Sequence, residues 1–364
     1  MKKEMISMPQ AFCIIAVFIW GSSVVMAGNT DVVQDSWISL LLAIAFAVPL
    51  LLIYARVMRL YPEKNIFEIL QLVFGKIAGG LLIALISWYS LHLCAIVLNN
   101  FSQFIEIVAM PETPQLPLMI IMLAVTTYLA MSGSEALGKW SVISLPIILT
   151  VVILTIVLAL PHMDFSNILP IFEHKFSQIA DDSFKLFSFP FAETVLFLGI
   201  ADSIKKQTNP YKLYVYASCF AGFILLLVML RNIELLGELT KIEYFSSYVA
   251  ARIIDVGDFL TRIEGTISMN FIITGVTKTT LCLLVAAKGI AHLFGISNYR
   301  QILIPVSALS LALSITLYNS AMQMFGFFGA YPYYAMPFQV FIPVALWLIA
   351  EMKTKRQKKL AAGR

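Results

Sequence analysis

Ten long apolar segments, separated by short polar stretches, limit most strongly what this sequence can fold into. They cover residues 9–28, 37–58, 79–104, 116–130, 142–160, 184–200, 211–230, 267–292, 302–317 and 333–350. A helix needs about 20 apolar residues to cross the hydrocarbon core of a bilayer, and lipid offers no hydrogen-bond partner to an irregular backbone. The pattern predicts an all-α polytopic membrane protein in which residues 1–364 form a single domain with ten transmembrane helices, spans 1 to 10.

Composition and the placement of reactive side chains exclude other classes of protein. Hydrophobic residues make up 60% of the chain and charged residues 13%, against roughly 45–50% and about 25% in globular domains. The four cysteines lie in separate apolar segments and the four histidines do not cluster, so we expect no metal site and no cofactor. The sequence has no P-loop and no nucleophile–base pattern, which predicts that the protein is not an enzyme.

Lysine and arginine are distributed unequally between the two sides of the membrane. With the N-terminus placed inside, 18 of the 25 lie on the inner side and six on the outer side, as the positive-inside rule requires. Both termini are therefore predicted to be cytoplasmic, which requires an even number of spans. We expect the basic tail of residues 351–364 to contact anionic lipid head groups and not to bind nucleic acid.

The ends and outer connections of the spans leave alternatives open. Lys2 and Lys3 precede an apolar stretch in the manner of a signal peptide, but nine further segments favour an uncleaved first span. Residues 161–183 and 243–264 mix apolar and polar residues, and in 243–264 the apolar residues recur at helix-like spacing, so both predict amphipathic helices on the outer surface. These helices would either pack at the membrane interface or cover an outward-facing site.

Two spans are interrupted at matching positions. Gly21-Ser22-Ser23 lies in span 1, and Phe189-Pro190-Phe191 lies in span 6, where a proline removes a helical hydrogen bond. If residues 9–160 and 184–350 are two five-helix repeats, spans 1 and 6 are equivalent. Because five is odd, the second repeat is inverted relative to the first. Interrupted helices at corresponding positions of inverted repeats indicate a solute site near the membrane midplane.

Glu193 in span 6 and Lys278 in span 8 are charged groups within apolar segments. Each costs about 2.5–3.5 kcal/mol at a helix centre, so both should face the bundle interior. Either they pair with each other, or they line a solute site together with Thr274 and Thr277, which lie close to the face of span 8 that carries Lys278. In transporters built this way span 8 borders the break in span 1, where some members hold sodium. A lysine there predicts sodium independence.

Several motifs together resemble one family. They are Gly21-Ser22-Ser23 downstream of Gln10, residues 61–68 with Gly75-Lys76, Glu193 with residues 194–198, Arg262-Ile263-Glu264, and Lys278 followed by Ala286-Ala287. Over nearly the whole chain they resemble the B subunits of spore germinant receptors, a branch of the amino acid–polyamine–organocation (APC) transporter superfamily. Members of that superfamily often carry more than one glycine at the break in span 1, where this chain has two serines.

The resemblance implies a LeuT-type fold of five plus five helices and a germinant-recognition subunit in the inner membrane of a bacterial spore, working with separate A and C subunits. It implies binding of a small solute such as an amino acid. Carried over by position, the ligand-binding residues are Gly21, Ser22, Ser23, Tyr89, Leu93, Phe189, Phe191, Glu193, Thr274, Thr277 and Lys278. An amino acid or amine permease is the main alternative, and a channel that uses this fold is a further one.

Overall fold

The computed structural model describes residues 4–27, 30–108, 110–254, 263–318 and 320–362, with side chains to residue 356. Lys2, Lys3, Arg262 and the end of the basic tail therefore lie outside the described residues. Span 1 consists of the helices Met8–Trp20 and Ser23–Met26. The others are Ser36–Leu60 (span 2), Ile66–Val108 (span 3), Gln115–Ser132 (span 4), Ser134–Ala159 (span 5), Phe176–Ser203 (span 6), Pro210–Leu236 (span 7), Glu264–Leu293 (span 8), Leu303–Leu317 (span 9) and Ala321–Ala362 (span 10).

Nine helical segments of the described chain are long and apolar enough to cross a membrane. Span 1 is the tenth apolar segment, and its first helix is only 13 residues long because it stops at the predicted break. The all-α membrane fold is thus confirmed, while the count of ten complete spans stays a prediction. Span 10 starts earlier than predicted, at Ala321, and continues as a helix into the basic tail to Ala362.

Burial separates a central group of spans from a peripheral one. The apolar window of span 8 is 83% buried and that of span 6 is 78% buried, whereas spans 4 and 9 are each 28% buried. Residues 14–20 at the end of the first helix of span 1 are all buried. The interrupted spans therefore lie in the centre of the bundle beside span 8, and the peripheral spans present apolar side chains toward lipid.

Spans 1 and 6 run antiparallel. Before span 1, the Ile6 N–H donates to the Ser203 carbonyl oxygen (2.7 Å), and the Lys205 N–H donates to the Ile6 carbonyl oxygen (3.0 Å), at the end of span 6. After span 1, the Thr30 hydroxyl donates to Asp182 near the start of span 6 (2.6 Å). This is the relation that an inverted repeat requires, although the repeat boundaries 9–160 and 184–350 stay predictions.

The Glu4 carboxylate connects three segments by hydrogen bonds on the predicted inner side. Glu4 accepts hydrogen bonds from the Ser134 backbone (2.7 Å) and hydroxyl (2.6 Å), from Tyr299 (3.2 Å) and from the Arg300 guanidinium (2.5 Å). We call Glu4, Ser134, Tyr299 and Arg300 the Glu4 cluster. It connects the segment before span 1 to the starts of spans 5 and 9.

The two outer segments are helical only in part. Residues 161–183 include a short 3-10 turn, Phe165–Ile168, then irregular backbone, and end in the amphipathic helix Phe176–Leu186 that begins span 6. Asp35 accepts hydrogen bonds from the backbone N–H groups of Phe172 (2.7 Å) and His174 (3.0 Å) there. The second segment contains a helix, Ser246–Ile253, while residues 255–262 lie outside the described chain. Phe245, at the start of that helix, packs inward against spans 3 and 8.

Candidate functional site

The break in span 1 depends on glycine. Gly21 has φ +24° and ψ −119°, and a Cβ atom there would come within 2.5 Å of Lys278 Cδ. The Thr274 hydroxyl donates to the Gly21 carbonyl oxygen (2.8 Å). Span 8 therefore satisfies a backbone group that the interruption releases, as buried polar groups require. Thr274 and Lys278 both lie against the break, as predicted.

The break in span 6 lies opposite. Phe189 has an extended backbone, with φ −121° and ψ 111°, in front of Pro190. From Ala192 to Ser203 the chain continues as a 3-10 helix. Lys278 Nζ lies 4.6 Å from the centroid of the Phe189 ring and 5.3 Å from that of Phe18 in span 1. The lysine is thus enclosed between both interrupted helices, where ring faces stabilise its charge.

Glu193 and Lys278 form a fully buried ion pair. Lys278 Nζ lies 2.5 Å from Glu193 Oε2, and neither side chain is exposed. The Tyr331 hydroxyl in span 10 donates to the other oxygen, Glu193 Oε1 (2.5 Å). Each oxygen of the carboxylate thus has a partner, which is the condition under which a buried charge is tolerated. Of the two sequence alternatives, direct pairing is what the structure has.

The pair continues into a chain of hydrogen bonds toward span 3. The Tyr331 and Tyr89 hydroxyls lie 3.0 Å apart, and Gln339 Nε2 donates to the Tyr89 hydroxyl (2.8 Å). The Ser188 hydroxyl in span 6 donates to Gln339 Oε1 (2.9 Å). We call Glu193, Lys278, Tyr331, Tyr89, Gln339 and Ser188 the Glu193 network. It joins spans 3, 6, 8 and 10 around the two breaks.

A cavity of about 50 Å³ lies between the two breaks, and we call it the inter-break cavity. Its polar residues are Ser23, Thr30 and Asp182, and apolar side chains of spans 1, 2, 6 and 7 form the rest of its wall. A second, larger cavity of about 530 Å³, the outer vestibule, shares Met26, Thr30, Asp182, Leu186 and Phe189 with it. The inter-break cavity is therefore approached from the predicted outer side.

The residues predicted for the ligand site fall into separate places. Ser23 and Phe189 line the inter-break cavity. Ser22 is buried within the break itself. Leu93 and Phe191 are buried and line neither of the two cavities described above.

The remaining predicted residues belong to the surrounding scaffold. Glu193, Lys278 and Tyr89 are members of the Glu193 network. The Thr277 hydroxyl accepts a hydrogen bond from Trp140 Nε1 of span 5 (3.0 Å) and so faces away from the cavity. Of the predicted residues, Glu193, Lys278, Tyr89 and Thr277 thus line neither cavity, although Tyr331 of the network lines the outer vestibule.

Asp182, Thr30, Tyr331 and Gln339 were not anticipated from the sequence. Asp182 lies in the polar stretch before the sixth apolar segment, where a carboxylate is expected to be solvated. Tyr331 lies before the predicted start of span 10. The spacing of Tyr331 and Gln339, about two helical turns, is a signal for one helix face that a longer span 10 would have made visible.

Comparison with known proteins gives one family and one fold. The family profile described as "Spore germination protein" matches residues 5–321. Spore germination protein KB of Bacillus subtilis (strain 168) is 27% identical over 99% of this chain and 98% of that protein. Spore germination protein GerQB of Bacillus cereus is 24% identical over 89% of each chain.

Among solved structures, MhsT in complex with L-phenylalanine matches with a TM-score of 0.70 and 12% identity over 96% of this chain and 89% of that one. MHP1, a nucleobase-cation-symport-1 family transporter with bromovinylhydantoin bound, matches with a TM-score of 0.64 and 14% identity over 89% and 74%. At this identity the likeness establishes the transporter-type helical fold of the chain.

Proposed function

Because this chain belongs to the spore germination protein family, we propose that it is the germinant-sensing membrane subunit of a spore germination receptor. It binds a small solute, an amino acid, between the interrupted spans 1 and 6. The observation that carries the proposal is the inter-break cavity, which has both breaks in its wall and opens toward the outer vestibule. The lining is mostly apolar with a few polar groups, as in small-molecule sites, and the adjoining outer vestibule of about 530 Å³ brings the space into the roughly 300–1,000 Å³ usual for them.

In this proposal the solute acts by shifting the bundle between two conformations, which it does only by binding one of them more tightly. Separate A and C subunits detect the shift, as the resemblance to receptor B subunits implies. The protein lies in the spore inner membrane with both termini in the cytoplasm. Phe189 supports this role because it lines the cavity and its ring lies 4.6 Å from Lys278 Nζ, so the cavity adjoins the Glu193 network that joins spans 3, 6, 8 and 10.

Filling the cavity in spores tests the proposal. The test variant is Ala27→Leu, because Ala27 lines the cavity. The matched control is Ala45→Leu, on the exposed side of span 2. We expect Ala27→Leu spores to lose germination in response to the amino acid that wild-type spores detect, and Ala45→Leu spores to retain it. Germination is followed by the fall in optical density. If spores that lack the gene respond fully to every amino acid that wild-type spores detect, the proposal is contradicted.

A sodium-independent amino acid or amine permease is the second candidate, because the solved structures of similar fold include transporters. Receptor and permease need the same cavity, so binding alone does not separate them. Uptake of labelled solute into proteoliposomes separates the two candidates. Accumulation above that of protein-free vesicles, reduced by Ala27→Leu, favours the permease. Saturable binding without accumulation favours the receptor.

A further inference from the structure

The charges of the outer vestibule balance except at one residue. Three aspartates and two lysines line it, and no further acidic or basic side chain in the described chain does. Lys241 lies 3.5 Å from Asp31, and Lys185 lies 2.7 Å from Asp181, with both pairs partly exposed. Among the described residues no lysine lies within ion-pair distance of Asp182, and Lys185, whose charge also acts on it, is paired with Asp181.

Asp182 is also the least exposed of the three aspartates, at 8%. Its Oδ1 accepts a hydrogen bond from the Thr30 hydroxyl (2.6 Å), whereas its Oδ2 is buried with no hydrogen-bond partner in the part of the chain that the structure describes. The Ser39 hydroxyl of span 2 lies near this carboxylate and donates to the Ile179 carbonyl oxygen (3.3 Å). An unpaired buried carboxylate oxygen is unfavourable unless something else occupies its acceptor position.

A second unpaired polar atom belongs to a residue that lines the same cavity. Ser23 Oγ at the break in span 1 is buried and has no partner within the described ranges, and Ser23 lines the inter-break cavity with Asp182. Leu40, Leu225 and Met229 supply an apolar wall. A volume of about 50 Å³ accommodates roughly three to five groups of the size of water, at about 10–15 Å³ each. That is the size of a very small organic solute.

The geometry points to Asp182 as the residue that binds the ammonium group of a small primary amine or amino acid in the inter-break cavity, with Ser23 as a second polar contact. This rests on the proposed function and names the chemical group that its site selects. Glu193 is unsuited to that task because its oxygens already bind Lys278 and Tyr331. A hard metal cation prefers six or more oxygen ligands, and among the described residues three polar side chains line the cavity.

The charge preference of the cavity can be measured without knowing the natural ligand. Met26, which lines both cavities, becomes cysteine in a Cys13→Ala, Cys219→Ala background, because the other two cysteines are buried. The thiol is reacted with cationic 2-aminoethyl methanethiosulfonate and with anionic 2-sulfonatoethyl methanethiosulfonate. Each rate is divided by that of free 2-mercaptoethanol. We expect the cationic reagent to be favoured by about tenfold or more, as in clefts that concentrate one sign of charge.

The variants assign this preference to one carboxylate. Asp182→Asn should reduce the ratio of rates by about tenfold, and Asp182→Glu should preserve most of it. The matched control Asp31→Asn removes an exposed charge from the same vestibule and should change the ratio by less than about twofold, because exposed charges are screened. An unchanged ratio in Asp182→Asn overturns the inference.

Protection from modification identifies the cation. We expect n-propylamine to slow the reaction of Met26→Cys saturably, and propionate at the same concentration to have no effect. Equal protection by potassium or sodium chloride would mean an inorganic cation site and overturns the inference, as does failure of n-propylamine to protect. These outcomes are independent of the spore assay. If Ala27→Leu spores lose their response while Asp182→Asn leaves the rates unchanged, the proposed function stands and the ammonium site falls.

Discussion

Two carboxylates of span 6 are buried under opposite conditions. Glu193 has an ammonium group on one oxygen and a tyrosine hydroxyl on the other, in the middle of a network that joins four spans. Asp182 has one hydrogen bond from Thr30 and one oxygen with no partner in the described chain, beside a cavity. A charge whose partners are all within the protein belongs to the scaffold. A buried charge that lacks a partner and lies beside a cavity can obtain that partner from a ligand.

The largest effect expected from this difference is at the buried pair. Lys278→Met leaves Glu193 charged and uncompensated, so we expect a loss of about 3–5 kcal/mol in the free energy of unfolding. The measurement is unfolding of purified protein in mixed micelles by increasing dodecyl sulfate. The double variant Glu193→Gln, Lys278→Met should recover part of the loss, because removing both charges is less harmful than removing one.

The control for this measurement is an exposed lysine. Lys139→Met breaks an exposed pair with Glu135, in which Nζ and Oε1 are 2.9 Å apart, and such pairs contribute at most about 1 kcal/mol. If Lys278→Met were no less stable than Lys139→Met, the pair would not be a structural element and the contrast with Asp182 would fail.

A smaller effect is expected when the other carboxylate is neutralised. Asp182→Asn keeps an acceptor for Thr30 and removes an unpaired buried charge. We therefore expect the stability without added solute to change by less than about 1 kcal/mol, in the direction of greater stability. The assay is the same as for Lys278→Met. A destabilisation as large as that of the buried pair would show that Asp182 is structural as well.

The smallest expected effect is that of sodium, which should be none. The ammonium group of Lys278 lies at the break in span 1, where Thr274 binds the Gly21 carbonyl oxygen, so a positive charge is already present there. Exchange of potassium chloride for sodium chloride at constant ionic strength should leave the unfolding temperature of purified protein within about 1 °C. Saturable stabilisation by sodium would contradict this, because it requires a separate cation site.

The sequence was sufficient for those features that leave a mark on hydropathy. Long apolar segments predicted the helices, Gly21 and Pro190 predicted the interruptions, and two charges in apolar segments predicted either a pair or a site. Each follows from the scarcity of hydrogen-bond partners and counter-charges in lipid. The structure shows that the two charges form a pair. The sequence alone could not decide this, because it does not give the distance between spans 6 and 8.

The residues of the cavity were harder to predict, because their burial arises from tertiary packing. Asp182 stands in a polar stretch next to Asp181, and the sequence alone does not distinguish the buried carboxylate from its exposed neighbour. Leu93 and Phe191 were placed at the site by analogy with other transporters. Both are buried and line neither of the two cavities described above, and their place at the site stays a prediction. The local pattern of hydropathy predicts where the spans lie. The direction of each side chain depends on how its helix is rotated about its own axis in the bundle.

The Glu4 cluster has a consequence for any movement of the bundle. Together with the two backbone hydrogen bonds of Ile6 it acts as a latch across spans 1, 5, 6 and 9 on the predicted inner side. The latch has six hydrogen bonds. At about 0.5–1.5 kcal/mol per hydrogen bond, opening it costs roughly 3–9 kcal/mol, so an open form would be populated in fewer than about one molecule in a hundred. A permease must break and re-form these hydrogen bonds in every transport cycle, whereas a receptor needs to break them only once.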